Sequence, residues 1–306
     1  MAGYFYQDFL HTPDGADLYF KVEGEGEPSL VLCDGLGCDG FIWKYILPEM
    51  RKSHRVLRWH YRGHGKSTAP PDRERLGMEY TCEDLERIVT RVGMDRAVIL
   101  GHSMGVQVAL EYHRRYPHRV LGLAALCGSY GNPLDTFHGD TLLRRALPYI
   151  HLLVDRFPTA VRRLTRWAFS TELAVRIALE VEVNKALVRR ADVLPYFEHL
   201  AKMDPAVLVK TLENLAEHTG WDHLPAIDVP TLIIGGERDT FTPLWLSRRM
   251  ADAIPGSEMM IIRDGSHTAA LEHPTMVNER LHRFLDQRIE PLLRRKPGAA
   301  ASEAAS

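Results

Sequence analysis

A serine set between two glycines, Gly101-His102-Ser103-Met104-Gly105, falls where an apolar run, Ala97 to Leu100, gives way to an amphipathic run, Met104 to Tyr116, that Pro117 stops. A serine hydroxyl is a poor nucleophile until it is presented alone beside a base, and a strand-turn-helix elbow makes that presentation. Glycine two residues to either side lets the backbone turn without side-chain collision. The free amides at the head of the following helix point to where an oxyanion would form, which makes the Met104 amide an expected donor. His267 stands on a Gly-Ser turn after the apolar run Glu258 to Ile262. Its imidazole suits both halves of a proton relay, taking the serine proton and returning it to a leaving group. A carboxylate must then hold the ring in the useful tautomer; Asp239, Glu237 and Asp264 are the candidates.

The elements around these residues are short and regular. Tyr4 to Leu10 and Ala16 to Val22, joined by Pro13-Asp14-Gly15, read as a hairpin. Ser29 to Cys33, Arg55 to Trp59, Ala97 to Leu100, Val120 to Leu126, Thr231 to Ile234 and Glu258 to Ile262 read as buried strands. Thr81 to Val92 and Met104 to Tyr116 read as helices between them. Apolar strands alternating with helices imply a mostly parallel sheet covered on both faces. From Ser129 to Trp221 the rhythm changes to helices alone: Thr141 to Val154, Pro158 to Phe169, Thr171 to Arg190 and Pro205 to Glu217, with Asp204-Pro205 as a cap and first turn. The expected division is a core of residues 1–128 and 222–295, an all-helical lid of residues 129–221, and a disordered tail of residues 296–306, where only small and polar residues remain.

At these motifs the chain resembles the α/β-hydrolase family from the first hairpin to Leu293. Asp34-Gly35-Leu36-Gly37 is similar to the family's oxyanion loop after the third strand, and His60 to Ser67 to its loop after the fourth. Val229 to Asp239 is similar to the strand and turn that carry the acid, and Asp264 to His267, followed by Glu272-His273-Pro274, to the histidine loop. The resemblance implies an α/β fold with a mostly parallel central sheet flanked by helices and an inserted helical lid. It also implies Ser103 as nucleophile, Asp239 as acid, His267 as base, and the backbone amides of Leu36 and Met104 as the oxyanion hole. His102 is expected to pack and hydrogen-bond within the elbow, Cys38 to fill space, and His273 to be a surface or capping residue. Two positions depart from the family pattern: Asp34 stands where the family has histidine, and His60 where it has aspartate. A swapped hydrogen bond, Asp34 carboxylate to His60 imidazole, is the expectation. Val106 occupies a position that is often a third glycine.

A serine nucleophile sets aside the aspartate branches of the resembling family, the epoxide hydrolases and haloalkane dehalogenases. Acyl transfer remains, and the aromatic, aliphatic helical segment points to a carboxylic ester of a small or medium hydrophobic molecule. Lactones, thioesters, carbon-carbon bonds and perhydrolysis use the same three residues, and His102 counts mildly against carbon-carbon cleavage. A hydrolase-fold receptor or regulator, or an acyltransferase, is the alternative of a different class. No cofactor and no metal is expected: His60 and His64 flank glycines, and the Gly-x-Gly pieces lack a full phosphate fingerprint. With 38 basic against 40 acidic residues among 306, the charge balance gives no footprint for nucleic acid or an anionic membrane. The arginine pairs 144–145, 162–163 and 189–190 read as solvated faces. Four cysteines without zinc spacing, an opening stretch unlike a secretory signal and no long apolar segment lead to an expected cytoplasmic protein with free thiols and no membrane insertion. The oligomeric state is left open.

Overall fold

In the computed structural model, which describes residues 5–131, 133, 142–172, 176 and 187–294, the two opening runs pair as an antiparallel hairpin. Its strands are β1 (Phe5–His11) and β2 (Asp17–Glu23), and Gly15 in its turn has φ 86°. The later apolar runs become β3 (Ser29–Cys33), β4 (Val56–Trp59), β5 (Ala97–His102), β6 (Val120–Leu126), β7 (Thr231–Gly236) and β8 (Glu258–Ile262). The principal helices are α1 (Met78–Arg91), α2 (Met104–Arg115), α3 (Leu142–Arg156), α4 (Pro158–Phe169), α5 (Arg190–Leu200), α6 (Pro205–Glu217), α7 (Leu244–Ala253) and α8 (Pro274–Phe284).

The eight strands form one sheet in the order β1-β2-β4-β3-β5-β6-β7-β8, antiparallel through β1, β2 and β4 and parallel from β4 onward. Strands β3, β5, β6 and β7 are buried along their whole length, whereas β1 at the edge alternates between exposed and half-buried. The two-residue period of β5 sends Ile99 to one face, with Leu85, Ile88 and Met250, and Val98 and Leu100 to the other, with Val277, Leu281 and Phe284. Each such side chain contributes about 1.5–3 kcal/mol when fully buried. This is the α/β fold with a mostly parallel sheet that the motifs implied. The parallel strands all end on the same side, and the chain leaves β3, β5, β7 and β8 there into the four loops that carry the candidate residues.

Between β6 and β7 the described elements are helices. Pro158–Phe169 and Pro205–Glu217 fall where expected, and the Asp204 carboxylate accepts the Ala206 N–H at 3.0 Å as the cap of α6. Most of the helix expected over residues 171–190 lies outside the described residues, as does the tail. Helix α5 falls between Arg190 and Pro205, where the sequence pattern assigned no element. Its apolar residues Val193, Tyr196 and Phe197 face the space above the sheet, and Asp192 ties it down by accepting from Lys44 Nζ at 2.5 Å and Tyr45 Oη at 3.0 Å. Among the described residues no helix is long and apolar enough to cross a membrane.

Candidate active site

The elbow begins with a strained residue. Ser103 has φ 56° and ψ −119°, a conformation rare for a side-chain-bearing residue, between the last residue of β5 and the first of α2. Such strain persists only where the surroundings over-determine it. Here the Ser103 N–H is held by the Leu126 carbonyl at 3.2 Å, and its carbonyl accepts the Val106 N–H at 3.0 Å. A methyl at Gly105 would lie 2.0 Å from the Cys33 carbonyl oxygen, so the missing side chain is what lets α2 start against the end of β3. The departure at Val106 has a spatial counterpart: its methyl occupies the place a side chain at residue 128 would need, 2.3 Å from that ideal Cβ position, and residue 128 is glycine.

Three side chains from three loops meet. His267 Nδ1 lies 3.0 and 3.1 Å from the two carboxylate oxygens of Asp239, and His267 Nε2 lies 3.0 Å from Ser103 Oγ. With Nδ1–H donating to the carboxylate, Nε2 is left with its lone pair toward the hydroxyl. Asp239 is 5% exposed and also accepts the Phe241 N–H at 2.9 Å, the Thr242 N–H at 2.8 Å and the Thr242 hydroxyl at 2.8 Å. Burial works to raise its carboxyl, but the His267 ring and these donors outweigh burial and hold it below the ordinary carboxylate value. The two competing carboxylates are spent elsewhere. Glu237 accepts the Asp264 N–H at 3.1 Å, and Asp264 pairs with Arg238.

The histidine loop is pinned from two sides. Buried Glu272 accepts the Ser266 N–H at 2.7 Å, the Ser266 hydroxyl, and the Thr268 hydroxyl at 3.1 Å. His102 Nε2 lies 2.9 Å from the His267 carbonyl, joining the elbow directly to the loop that carries the base. Burial and the neighbouring His267 ring push the His102 imidazole down to about 3, so the ring is neutral and donates Nε2–H. The sequence pattern marks His102 as a hydrogen-bonding residue of the elbow without its partner, and assigns Glu272 no role. An acidic residue five positions after the histidine was the available signal. His273 caps α8 by position alone, with no side-chain cap hydrogen bond.

The expected Asp34–His60 hydrogen bond does not form. Strands β3 and β4 are neighbours, but the two side chains leave their strand ends in different directions. Asp34 accepts from Trp43 Nε1 at 2.6 Å, and its carbonyl accepts from Tyr61 Oη at 2.9 Å. His60 packs on Tyr19 toward β2, and its Nδ1 accepts the Lys66 N–H at 2.9 Å. The two loops are joined by the Tyr61 hydroxyl and the Asp34 carbonyl, not by the Asp34 and His60 side chains. Burial pushes the Asp34 carboxyl up to about 7 despite the Trp43 donor and Arg58. His64 Nδ1 is engaged with the Arg62 carbonyl at 3.0 Å.

Leu36 in the loop after β3 and Met104 at the head of α2 flank the serine, and among the described residues neither amide makes a turn or loop hydrogen bond. Above Ser103 is a cavity of about 300 Å³. Its floor includes Leu36, Ser103, His267 and Phe241, whose ring stacks on the imidazole at 4.8 Å. Val193, Tyr196 and Phe197 of α5, Leu212 and Leu215 of α6 and Leu143 of α3 supply its other walls. Among the described residues no Asp, Glu, Lys or Arg lines it.

The sequence pattern of the alpha/beta hydrolase fold matches residues 28–274. Among curated relatives, bifunctional epoxide hydrolase 2 of Sus scrofa is 24% identical over 298 residues, which cover 89% of this chain and 54% of that protein. The chain therefore spans about half the length of that relative. The 2-hydroxy-6-oxononadienedioate/2-hydroxy-6-oxononatrienedioate hydrolase of Klebsiella pneumoniae is 27% identical over 289 residues, covering 90% of this chain and 94% of that one. Among solved structures, a hydrolase from Pseudomonas aeruginosa superposes with a TM-score of 0.74 at 24% identity, covering 91% of this chain and 98% of that one; this likeness shows the fold.

Proposed function

Because the chain belongs to the α/β-hydrolase fold family, we propose that it is a serine hydrolase cleaving uncharged, lipophilic carboxylic esters through an acyl-enzyme. The observation that carries this reading is the unbroken line Ser103 Oγ, His267, Asp239 at the base of an apolar cavity. Ser103 Oγ attacks the ester carbonyl carbon as its proton passes to His267 Nε2, and Asp239 steadies the imidazolium. The N–H groups of Leu36 and Met104 stabilise the resulting oxyanion, a term worth about 3–4 kcal/mol per donor in such sites. Collapse of the tetrahedral intermediate breaks the bond to the alcohol, which leaves with the proton from His267. Water then repeats the sequence against the acyl-serine and releases the acid.

The cavity argues for the substrate class. A charged acyl or alcohol group would be desolvated against Leu36, Val193 and Phe197 with no counter-charge among the described lining residues. That disfavours a dicarboxylate such as the one in the name of the Klebsiella relative. The epoxide-opening activity in the name of the other relative is disfavoured on different grounds, since a serine stands at this elbow. In this proposal the helical segment of residues 129–221 acts as a lid over a core of residues 1–128 and 222–295. The substrate is a small molecule and no cofactor takes part.

The test is labelling with a fluorophosphonate together with turnover of p-nitrophenyl esters of increasing acyl length. One label per chain, lost in Ser103→Ala, and steady turnover of the uncharged esters are expected. Stoichiometric labelling with a single slow turnover would replace the enzyme by a ligand receptor. A dependence of product on added alcohol would make it an acyltransferase.

A further inference from the structure

Helices α3 and α4 turn a second apolar stripe away from the protein. On α3, Leu147 and Val154 are buried, yet Tyr149, Leu152 and Leu153, and Phe157 at the junction with α4, at i, i+3, i+4 and i+8, project outward. Helix α4 buries no residue at all, and its Leu164 and Trp167 lie one turn apart. All six are more than half exposed, Tyr149 at 72% and Trp167 at 67%. Scattered exposed leucines need no explanation, but six large apolar side chains on two consecutive helices mark a contact surface.

The charge on these helices is equally one-sided. Residues 142–169 hold six arginines and one acid, Asp155, within a chain whose net charge is −2. Arg162 is paired with Asp204 at 2.8 Å, and Asp155 with His151 at 2.9 Å. Arg145, Arg156, Arg163 and Arg166 are exposed and have no carboxylate partner among the described residues. A second copy of the chain would bring the same arginines against themselves, so the partner must carry negative charge as well as accept apolar side chains. An exposed tyrosine and tryptophan beside leucines, flanked by arginines, match what helices lying in a lipid headgroup region present.

We propose that the α3–α4 surface docks the protein on an anionic lipid interface. The apolar stripe enters the headgroup–acyl boundary while the arginines stay at phosphate depth. Because Leu143 of α3 lines the cavity above Ser103, the docked face and the substrate chamber share one helix. That link rests on the reading of the cavity given above; the docking itself does not.

The experiment uses the full chain carrying Ser103→Ala, so that chemistry at the serine plays no part. Vesicles of phosphatidylcholine alone are compared with vesicles of equal parts phosphatidylcholine and phosphatidylglycerol, by co-sedimentation and tryptophan emission. Binding to the anionic vesicles, weakened at about 1 M salt, where the screening length falls to roughly 3 Å, is expected. Each arginine near the surface contributes about fivefold, so Arg145→Gln/Arg163→Gln/Arg166→Gln should lose on the order of 100-fold in partitioning. Leu152→Ser/Trp167→Ser should also release the protein at unchanged charge, and both variants should keep the parent melting temperature. Absence of binding to anionic vesicles overturns the proposal. So does equal binding to neutral ones, or a concentration-dependent dimer that Leu152→Ser/Trp167→Ser dissolves without any vesicle binding. If the parent chain, with Ser103 intact, fails to turn over esters while vesicle binding holds, the catalytic reading falls alone.

Discussion

Replacing Gly105 by alanine tests the geometry of the elbow directly. The new methyl would start 2.0 Å from the Cys33 carbonyl oxygen and 2.8 Å from that of Asp34, both of them backbone atoms that no rotamer change can move. Carbon and carbonyl oxygen approach no closer than roughly 3.3 Å, so α2 must retreat from β3 by about 1.3 Å. That retreat separates the two amides assigned to the oxyanion, one on each side of the contact. A misplacement of about 1 Å costs on the order of 100-fold in rate, and forcing the backbone apart costs about 1–3 kcal/mol of stability. The assay is kcat/KM on p-nitrophenyl butyrate, together with thermal unfolding and the rate of fluorophosphonate labelling. Gly93→Ala is the control: φ is +66°, no atom lies within 4 Å of the added methyl, and the left-handed backbone costs about 1 kcal/mol. That variant should lose stability and keep its turnover. A folded Gly105→Ala protein whose kcat/KM stays within threefold of the parent would refute the idea that this contact sets the spacing of the site.

Asp239→Asn should lower kcat by about 10³–10⁴ with the melting temperature little changed, because the amide favours the wrong imidazole tautomer; activity within tenfold of the parent would dismiss Asp239 as the orienting acid. Glu272→Gln should destabilise the protein by about 1–3 kcal/mol and slow turnover, since the amide nitrogen cannot accept from Ser266 or Thr268. Unchanged unfolding and rate would leave Glu272 without a positioning role. Asp34 is protonated at low pH in both states; its folded value is raised to about 7 from 3.8, so its contribution to stability is present below pH 4 and is lost as pH rises toward 7. Across that window the parent should lose up to about 4 kcal/mol relative to Asp34→Asn; a difference independent of pH would contradict the burial argument. Phe197→Ala should widen the cavity and move the preferred acyl chain to a longer length, read from the ester series.

The elbow was legible because its code is local. Glycines at 101 and 105, an apolar run before and a helix after are requirements of one short turn, and the strands were legible because burial on both faces demands unbroken apolar runs. The same locality explains what was misread. Whether Asp34 meets His60 depends on the directions in which two side chains leave neighbouring strands, and Trp43 and Lys66 take the hydrogen bonds instead. Helix α5 was not legible, since its stability comes from packing and from Asp192 held by Lys44 and Tyr45.

The sequence by itself determined the sheet, the position of the serine on its turn, and the order in which serine, acid and histidine occur. Each of these is fixed by neighbours a few residues away. Only the tertiary structure decided that His267 hydrogen-bonds the Asp239 carboxylate while Glu237 and Asp264 are spent elsewhere. It also decided that Val106 fits because residue 128 is glycine, and that arginines cancelled in the whole-chain charge gather beside an apolar face. Those outcomes are set by distances between segments far apart in the chain, which a linear pattern does not encode.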